Sequence, residues 1–128
     1  MKEIKTRDAP IPLGPYSQGA IADGVLLFIA GQTPKNPKTG AIPGDFRDQA
    51  AQCLENVKAI VEAAGGSLAD IVKVNAYLKD LSNFQAFNEV YERYFSPPYP
   101  ARATVGADLP GILLEIEAVA SLPRDSRR

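Results

Sequence analysis

The chain has 128 residues, the usual size of one domain. Apolar residues make up 45% and charged residues 23%, as in an average soluble globular protein, so the composition excludes a disordered chain or a fibre. The 14 basic and 15 acidic side chains are interspersed and leave a net charge of −1, which argues against a nucleic-acid-binding surface. Histidine is absent, so Ser-His-Asp and Cys-His catalysis, zincin sites and imidazole acid–base chemistry are excluded.

The sequence contains no recognisable targeting signal, membrane span or cysteine-rich metal site. The first ten residues, MKEIKTRDAP, lack the apolar core of a signal peptide, and no apolar run reaches membrane-spanning length. Cys53 is the single cysteine, so there is no internal disulfide and no sulfur-rich metal site. Its neighbours place it on a helix, where a small buried apolar residue is expected rather than a reactive thiol. We expect a cytoplasmic protein without a metal.

Three strands are predicted in the first third of the chain. Residues 1–6 are expected to form a short edge strand, and a segment rich in proline follows. Asp23 and Gly24 are a strong turn signal between two apolar runs, so residues 18–32 are predicted to form a hairpin. The run VLLFIA is continuously apolar, which predicts a strand covered on both faces.

Two amphipathic helices are predicted in the middle of the chain. The first begins after Asp45 as its N-cap, repeats apolar residues at spacings of three and four, and ends at Gly65 and Gly66. The second is capped by Ser82 or Asn83 and is stopped by the prolines that follow it. The segment between the helices alternates, which predicts a strand with one strongly apolar face.

The last two predicted strands are ARATVGA and ILLEIEAVAS, joined by the turn DLPG. The element order is therefore β-β-β-α-β-α-β-β, with two helices on one face of a mixed sheet, an α+β sandwich in a single domain over residues 1–128. The other face of the sheet also needs a cover. Since no third helix is predicted, we expect that cover to be another subunit.

Arg102 is an isolated arginine in a run that is otherwise typical of a strand, PPYPARATV. Its ordinary explanation is a partly exposed strand residue paired with a glutamate, because structural ion pairs are common. The planar guanidinium is also the best side chain for binding a carboxylate through two parallel hydrogen bonds. Taken alone, Arg102 leaves both interpretations open.

Segments from nearly the whole chain occur in the order and approximate spacing of the Rid (YjgF) family. They are GPYSQ, IAGQTPKNPKTG, ENVKAIVEAAG, DIVKVNAYLKDLSNF, FNEVYERYF, PARATV and LLEIEAVA. The sequence most resembles the RidA branch, the enamine/imine deaminases. The resemblance implies a chorismate-mutase-like fold, a homotrimer with ligand sites in the clefts between subunits, and hydrolysis of 2-imino acids such as 2-iminobutanoate and 2-iminopropanoate without a cofactor.

That chemistry is possible without histidine. A 2-imino acid offers a carboxylate and an already electrophilic carbon, so it needs an anchor, a positioned water and help for the departing nitrogen. The resemblance assigns the anchor to Arg102, the carboxylate that holds or activates the water to Glu115, and a pocket hydroxyl that passes on a proton or orients the imine to Tyr16. Their ordinary alternatives are a surface ion pair, a solvated strand residue and a core tyrosine.

Three further residues complete the substrate-binding set that the resemblance implies. Gly31 is the glycine whose backbone approaches the ligand, Asn88 is a pocket residue on the second helix, and Thr104 stands where many deaminases of this branch have cysteine. Without the resemblance, Gly31 is only a strand end and Asn88 a polar residue at the edge of an apolar stripe. With threonine at position 104, a shifted substrate preference is expected.

The choice between Glu115 and Glu117 stays open at this point. Both glutamates share one strand face, so alternation does not distinguish them, and the segment from Arg102 to Glu115 is about one residue shorter than in close relatives. Two other functions also stay open: a sensor of small carboxylates and, against the charge and the missing histidine, a ribonuclease or translation inhibitor. A sensor has no need of a second carboxylate beside its ligand, because like charges repel.

Overall fold

Six strands and two helices make up the part of the protein that a computed structural model describes, residues 1–124. The strands are β1 (Lys2–Ile4), β2 (Gly19–Ile21), β3 (Val25–Gln32), β4 (Ile71–Leu78), β5 (Ala101–Gly106) and β6 (Leu114–Leu122). The helices are α1 (Phe46–Ala63) and α2 (Phe84–Tyr94), and single 3₁₀ turns at Leu68–Asp70 and Leu81–Asn83 precede β4 and α2. This is the element order predicted from the sequence.

The main sheet has four strands in the order β3-β6-β4-β5. β4 and β5 are parallel, whereas β6 is antiparallel to both of its neighbours. β1 and β2 form a separate antiparallel pair. The sheet is therefore mixed, and the predicted α+β class with two helices is confirmed.

The predicted hairpin over residues 18–32 is wrong. β2 pairs with β1, and β3 pairs with β6, so Asp23 and Gly24 lie where the chain leaves one sheet and enters the other. Gly24 is needed there because the chain passes close to β6: a Cβ on Gly24 would lie 2.2 Å from the backbone oxygen of Leu122. Its backbone N–H donates to Ser121 Oγ at 2.7 Å. Gly24 thus allows the chain to pass close to β6, and Asp23 and Gly24 do not form a tight hairpin turn.

Helix α1 forms as predicted. Asp45 is its N-cap, and one carboxylate oxygen of Asp45 accepts hydrogen bonds from the backbone N–H groups of Arg47 and Asp48. The helix ends where Gly65 adopts a φ of +89°, a conformation that favours glycine. Its apolar stripe is buried against the sheet: Ala50, Cys53, Leu54, Val57 and Val61.

Asn83, one of the two predicted caps, occupies the N-cap position of α2, but its side chain makes no capping hydrogen bond. Asp80 Oδ1 instead accepts from the backbone N–H of Ser82 at 2.9 Å and caps the 3₁₀ turn that leads into α2. Hydrogen bonding from Ser82 also lowers the pKa of the Asp80 carboxyl. The helix packs against the core through three buried side chains, Phe87, Val90 and Tyr91.

The two faces of the main sheet differ in their cover. On the helix face, alternate residues of the central strands β4 and β6 are buried in the core: Val74, Ala76, Leu78, Leu114, Ile116 and Ala118. On the other face, here called the outer face, Leu26 is 51% and Phe28 is 73% exposed. The prediction that VLLFIA is covered on both faces is therefore not met within one chain.

Residues 1–124 contain no helix long and apolar enough to cross a membrane. Over the same residues, no three side chains among cysteine, aspartate and glutamate lie close enough together to hold a metal ion.

The predicted burial of Cys53 is confirmed. Its side chain is wholly enclosed, and its Sγ lies 3.4 Å from the backbone oxygen of Gln32. Burial and, to a smaller extent, the negative charge of Glu115 raise the pKa of the thiol to about 12. The thiol is thus held in its unreactive, protonated form.

We expect Cys53 to resist alkylation in the folded protein. At pH 8.5 a pKa of about 12 leaves on the order of a thousandfold less thiolate than in an unfolded chain, so reaction with iodoacetamide should be slower by about that factor. Mass spectrometry with and without denaturant measures it, with Cys53→Ala as the unreactive control. Equal rates in both conditions would contradict the buried position.

Candidate active site around Arg102

Arg102 lies on the helix face of β5, opposite Val74 of β4, and is only 9% exposed. Its Nη2 donates to Oδ1 of Asn88, a buried residue of α2, at 2.7 Å. No carboxylate among residues 1–124 lies within ion-pair distance of the guanidinium. The ordinary explanation of Arg102, a partly exposed residue paired with a glutamate, is therefore wrong.

Four aromatic rings surround the guanidinium. From Arg102 Cζ the ring centroids lie at 4.8 Å for Tyr91, 5.2 Å for Phe87, 5.5 Å for Tyr16 and 5.7 Å for Phe84. Cation–π attraction offsets part of the cost of burying the charge. Burial lowers the pKa of Arg102, yet a guanidinium stays protonated at neutral pH.

Arg102 keeps hydrogen-bond donors without a partner. Within residues 1–124, neither Nε nor Nη1 has a hydrogen-bond acceptor, although both are buried. A buried cation with unsatisfied donors is costly, and a carboxylate relieves both the charge and the missing hydrogen bonds. The Arg102–Asn88 pair is thus suited to bind a small organic anion.

A small cavity of about 160 Å³ lies beside this pair and is lined by Tyr16, Phe84, Arg102 and Thr104. Thr104 follows Arg102 by two residues on the same strand face, so the two side chains project in parallel roughly 7 Å apart. Its Oγ1 is also buried without a partner in the described part of the chain. Tyr16 covers the guanidinium with its ring, and its hydroxyl accepts from the backbone N–H of Leu13 at 3.3 Å. That hydroxyl retains its proton for another partner.

Glu115 lies elsewhere. In β6 its neighbours Leu114 and Ile116 point into the core, so Glu115 projects from the outer face, opposite Tyr77 of β4. Arg102 points to the helix face of the same sheet. Within one chain the two predicted catalytic groups are therefore on opposite faces, and they do not meet.

Gly31 belongs to the Glu115 side of the sheet. The register between β3 and β6 shifts between Ile29 and Gln32, a β-bulge that contains Gly31. A Cβ on Gly31 would lie 2.1 Å from Glu115 Oε1, so a larger residue at this position would displace that carboxylate. The structure thus divides the six predicted site residues into two groups: Tyr16, Asn88, Arg102 and Thr104 around the cavity, and Gly31 with Glu115 on the outer face.

The structure also separates Glu117 from Glu115. Glu117 Oε1 accepts from Tyr77 Oη at 2.5 Å and from Asn75 Nδ2 at 3.1 Å, and these bonds lower the pKa of Glu117. The bond to Glu117 also raises the pKa of Tyr77. The Glu115 side chain, in contrast, accepts no hydrogen bond from residues 1–124. Glu117 is held as part of a strand-to-strand network, whereas the Glu115 carboxylate is free for another role.

Sequence reasoning missed two parts of this arrangement. The apolar spacing in α2 indicated a core stripe, but not that Phe87 and Tyr91 would lie beneath a guanidinium. Asn75 and Tyr77 share a face in the alternating pattern of β4, which was the available signal for a polar network. Their partner on β6 depends on a long-range register that the pattern does not contain.

Comparison with known proteins identifies relatives along nearly all of the chain. Residues 6–122 match the family model described as Endoribonuclease L-PSP. A RutC family protein of Pyrococcus horikoshii is 57% identical over 124 residues, which cover 94% of this chain and 98% of the relative. A 2-iminobutanoate/2-iminopropanoate deaminase of Escherichia coli K12 is 48% identical over 124 residues, with 93% and 96% covered.

Solved structures agree with these matches. RidA from the Antarctic bacterium Psychrobacter is 44% identical with a TM-score of 0.74, and the match covers 95% of this chain and all of the other. Escherichia coli TdcF with bound serine is 46% identical with a TM-score of 0.73, covering 95% and 99%. Sequence and structure matches of this extent establish membership, and the chain belongs to the Rid (YjgF) family, which the Endoribonuclease L-PSP model describes.

Proposed function

We propose that this protein is a cytoplasmic, cofactor-free deaminase that hydrolyses small 2-imino acids to 2-oxo acids and ammonia. The observation that carries the proposal is the buried Arg102 guanidinium, which has Asn88 as its hydrogen-bond partner, two buried nitrogens without an acceptor, and a small cavity beside it. A relative named 2-iminobutanoate/2-iminopropanoate deaminase, 48% identical along most of the chain, supports the choice of substrate.

The mechanism follows from what a 2-imino acid requires. Arg102 binds the carboxylate and so fixes the adjacent C=N carbon. Glu115 accepts a hydrogen bond from water and directs its oxygen at that carbon. As the C–O bond forms and the C=N π bond breaks, the water gives one proton to the Glu115 carboxylate, and the nitrogen takes one proton from the Tyr16 hydroxyl. The carbinolamine then collapses: its C–N bond breaks and the nitrogen leaves as ammonia with the proton held by Glu115. The proton of the carbinolamine hydroxyl returns to Tyr16, and the 2-oxo acid remains.

One site of this kind needs two chains. Arg102 and Glu115 lie on opposite sheet faces, so a single chain does not supply both groups to one ligand. The outer face that carries Glu115 also exposes Leu26 and Phe28, apolar side chains suited to an interface between subunits. We therefore include in the proposal a homotrimer in which a neighbouring subunit brings Glu115 to the Arg102 cavity.

A second candidate is a protein that binds a small carboxylate without turning it over. It is favoured by one observation: a single chain already holds the whole anchor, Arg102 with Asn88, without Glu115. The two functions differ in whether loss of Glu115 matters. A direct test generates 2-iminobutanoate in situ from 2-aminobutanoate with an amino acid oxidase and measures its loss with and without the protein.

Replacing Arg102 should weaken both binding and turnover. Arg102→Ala removes a charge-assisted bidentate contact worth on the order of 2–4 kcal/mol, so kcat/KM should fall roughly thirty- to a thousand-fold. Arg102→Lys should recover only part of it, because a point charge does not reproduce the guanidinium geometry. Steady-state kinetics on the in situ imine give both values. Full activity in Arg102→Ala would remove the anchor from the mechanism.

Glu115 and Glu117 form a matched pair for the water-activating role. Glu115→Gln should lower kcat by about a hundredfold or more and leave binding of 2-oxobutanoate intact, because only the charge that polarises water is lost. Glu117→Gln should stay within a few-fold of wild type. The reverse pattern would show that the assignment along β6 is wrong by two residues, and two fully active variants would place water activation elsewhere.

Mixing two inactive variants tests the shared site. If each site takes Arg102 from one subunit and Glu115 from its neighbour, random trimers of Arg102→Ala and Glu115→Gln chains should regain about a quarter of wild-type activity by simple combinatorics. The chains are unfolded and refolded together, with separately refolded samples as the control. Light scattering reports the assembly. A monomer, or no recovery in verified mixed trimers, would exclude the shared site.

A further inference from the structure

The roof of the Arg102 cavity is a long loop near the N-terminus. Residues 5–18, here called the roof loop, connect β1 to β2. Near its end the loop passes directly over the anchor: a Cβ on Gly14 would lie 3.4 Å from Asn88 Nδ2, and the ring of Tyr16 lies 5.5 Å from Arg102 Cζ. Burial of the free guanidinium donors therefore depends on where this loop sits.

Most of the roof loop lacks attachments of its own to the rest of the protein. Apart from bonds to Gln18, the hydrogen bonds within residues 6–16 are local, such as Leu13 N–H to Tyr16 Oη and Tyr16 N–H to the Gly14 carbonyl. The prolines at positions 10, 12 and 15 have no N–H to donate. Ile11 is 75% and Leu13 is 92% exposed, so these two large apolar side chains add little packing.

Gln18 supplies the missing attachment. Its Oε1 accepts from the Thr6 N–H at 2.7 Å, and its Nε2 lies within hydrogen-bond distance of the carbonyls of Pro10 (2.7 Å), Thr6 (3.1 Å) and Ala9 (3.2 Å). One carboxamide thus ties the start of the roof loop to its end.

The Gln18 backbone is itself fixed to the strand that carries the anchor. The preceding residue, Ser17, donates its N–H to the Pro100 carbonyl at 3.1 Å and forms a bridge with Ala101, the neighbour of Arg102. β2 begins directly after Gln18. The carboxamide therefore ties residues 6–10 to a part of the chain that is bonded to the start of β5.

We propose that Gln18 is a positioning residue for the anchor: through Tyr16 and the roof loop it sets how often the Arg102 guanidinium is uncovered. Because Nε and Nη1 are buried under the closed loop, a carboxylate reaches them only when the loop lifts, and it is enclosed when the loop returns. Gln18 thereby controls ligand entry and release. The part that concerns a bound carboxylate rests on the proposed function, whereas the part that concerns exposure of Arg102 does not.

The direct test is chemical modification of arginine by phenylglyoxal. In Gln18→Ala and Gln18→Glu the rate at Arg102 should rise roughly tenfold, since lost tethering of about 1.4 kcal/mol raises the open population by that factor. Gln18→Glu keeps the size and the acceptor for Thr6, but its carboxylate does not donate. Gln52→Ala, which removes a glutamine bonded to Asn56 on α1, is the matched control, and the exposed Arg93 is the internal reference. Peptide mass spectrometry measures each rate.

A rise confined to Arg102 in both Gln18 variants supports the proposal, and an unchanged Arg102 rate in a folded variant overturns it. A rise at Arg93 as well would indicate general loosening and would also overturn it. If neither variant folds, hydrogen exchange of wild-type protein decides: the Thr6 amide, which donates to Gln18 Oε1, should exchange at least tenfold slower than in an unstructured peptide. Exchange at the unstructured rate would mean that the roof loop is not held.

A second experiment tests ligand release by measuring the dissociation rate of 2-oxobutanoate from NMR line shapes. Its dissociation rate should increase in Gln18→Glu by about the same factor as the Arg102 modification rate. Failure of 2-oxobutanoate to bind wild-type protein would count against the proposed function and leave the Arg102 result standing. Equal dissociation rates in wild type and variant, with Arg102 exposed in the variant, would overturn the role of Gln18 in ligand release.

Discussion

The arrangement around the site depends on one buried cation. Arg102 is taken out of water by α2 and by the ring of Tyr16, yet the described residues give it a single hydrogen-bond partner, Asn88. A structural arginine would have a carboxylate or several carbonyls in reach, since an uncompensated buried charge is strongly destabilising. The aromatic surroundings reduce the cost of burial without using up the donors, so the binding capacity of the guanidinium is kept for a ligand.

The two-residue period of the sheet imposes the second constraint. Arg102, Val74 and Ala118 lie in register on the helix face, so Glu115 on β6 necessarily projects to the other side. No rotamer of Glu115 allows its carboxylate to reach Arg102 on the other face of the sheet. A function that uses both Arg102 and Glu115 therefore requires an assembly. In it, the outer face of one chain meets the Arg102 cavity of another.

The sequence was sufficient at several places where neighbouring residues decide the structure. Asp45 as a cap, Gly65 as a helix end and the alternation of β4 all depend on neighbours in the chain, and each was predicted correctly. It was insufficient where distant segments compete. Asp23 and Gly24 have the composition of a hairpin turn, but β6 displaces β2 as the partner of β3. The site residues were named through a family resemblance, and their division between two sheet faces follows only from the strand register.

The position of β6 has a consequence for how the chain acquires its structure. β6 is the last strand in sequence but lies inside the sheet, between β3 and β4. The bond from Gly24 to Ser121 joins residues 97 positions apart, so β3 has no partner in the main sheet until almost the whole described chain has left the ribosome. Two strand edges and the apolar side chains of β3 stay unpaired during synthesis, which predisposes the nascent chain to aggregation. Pairing of β6 with β3 and β4 completes the core and places Glu115 beside Gly31.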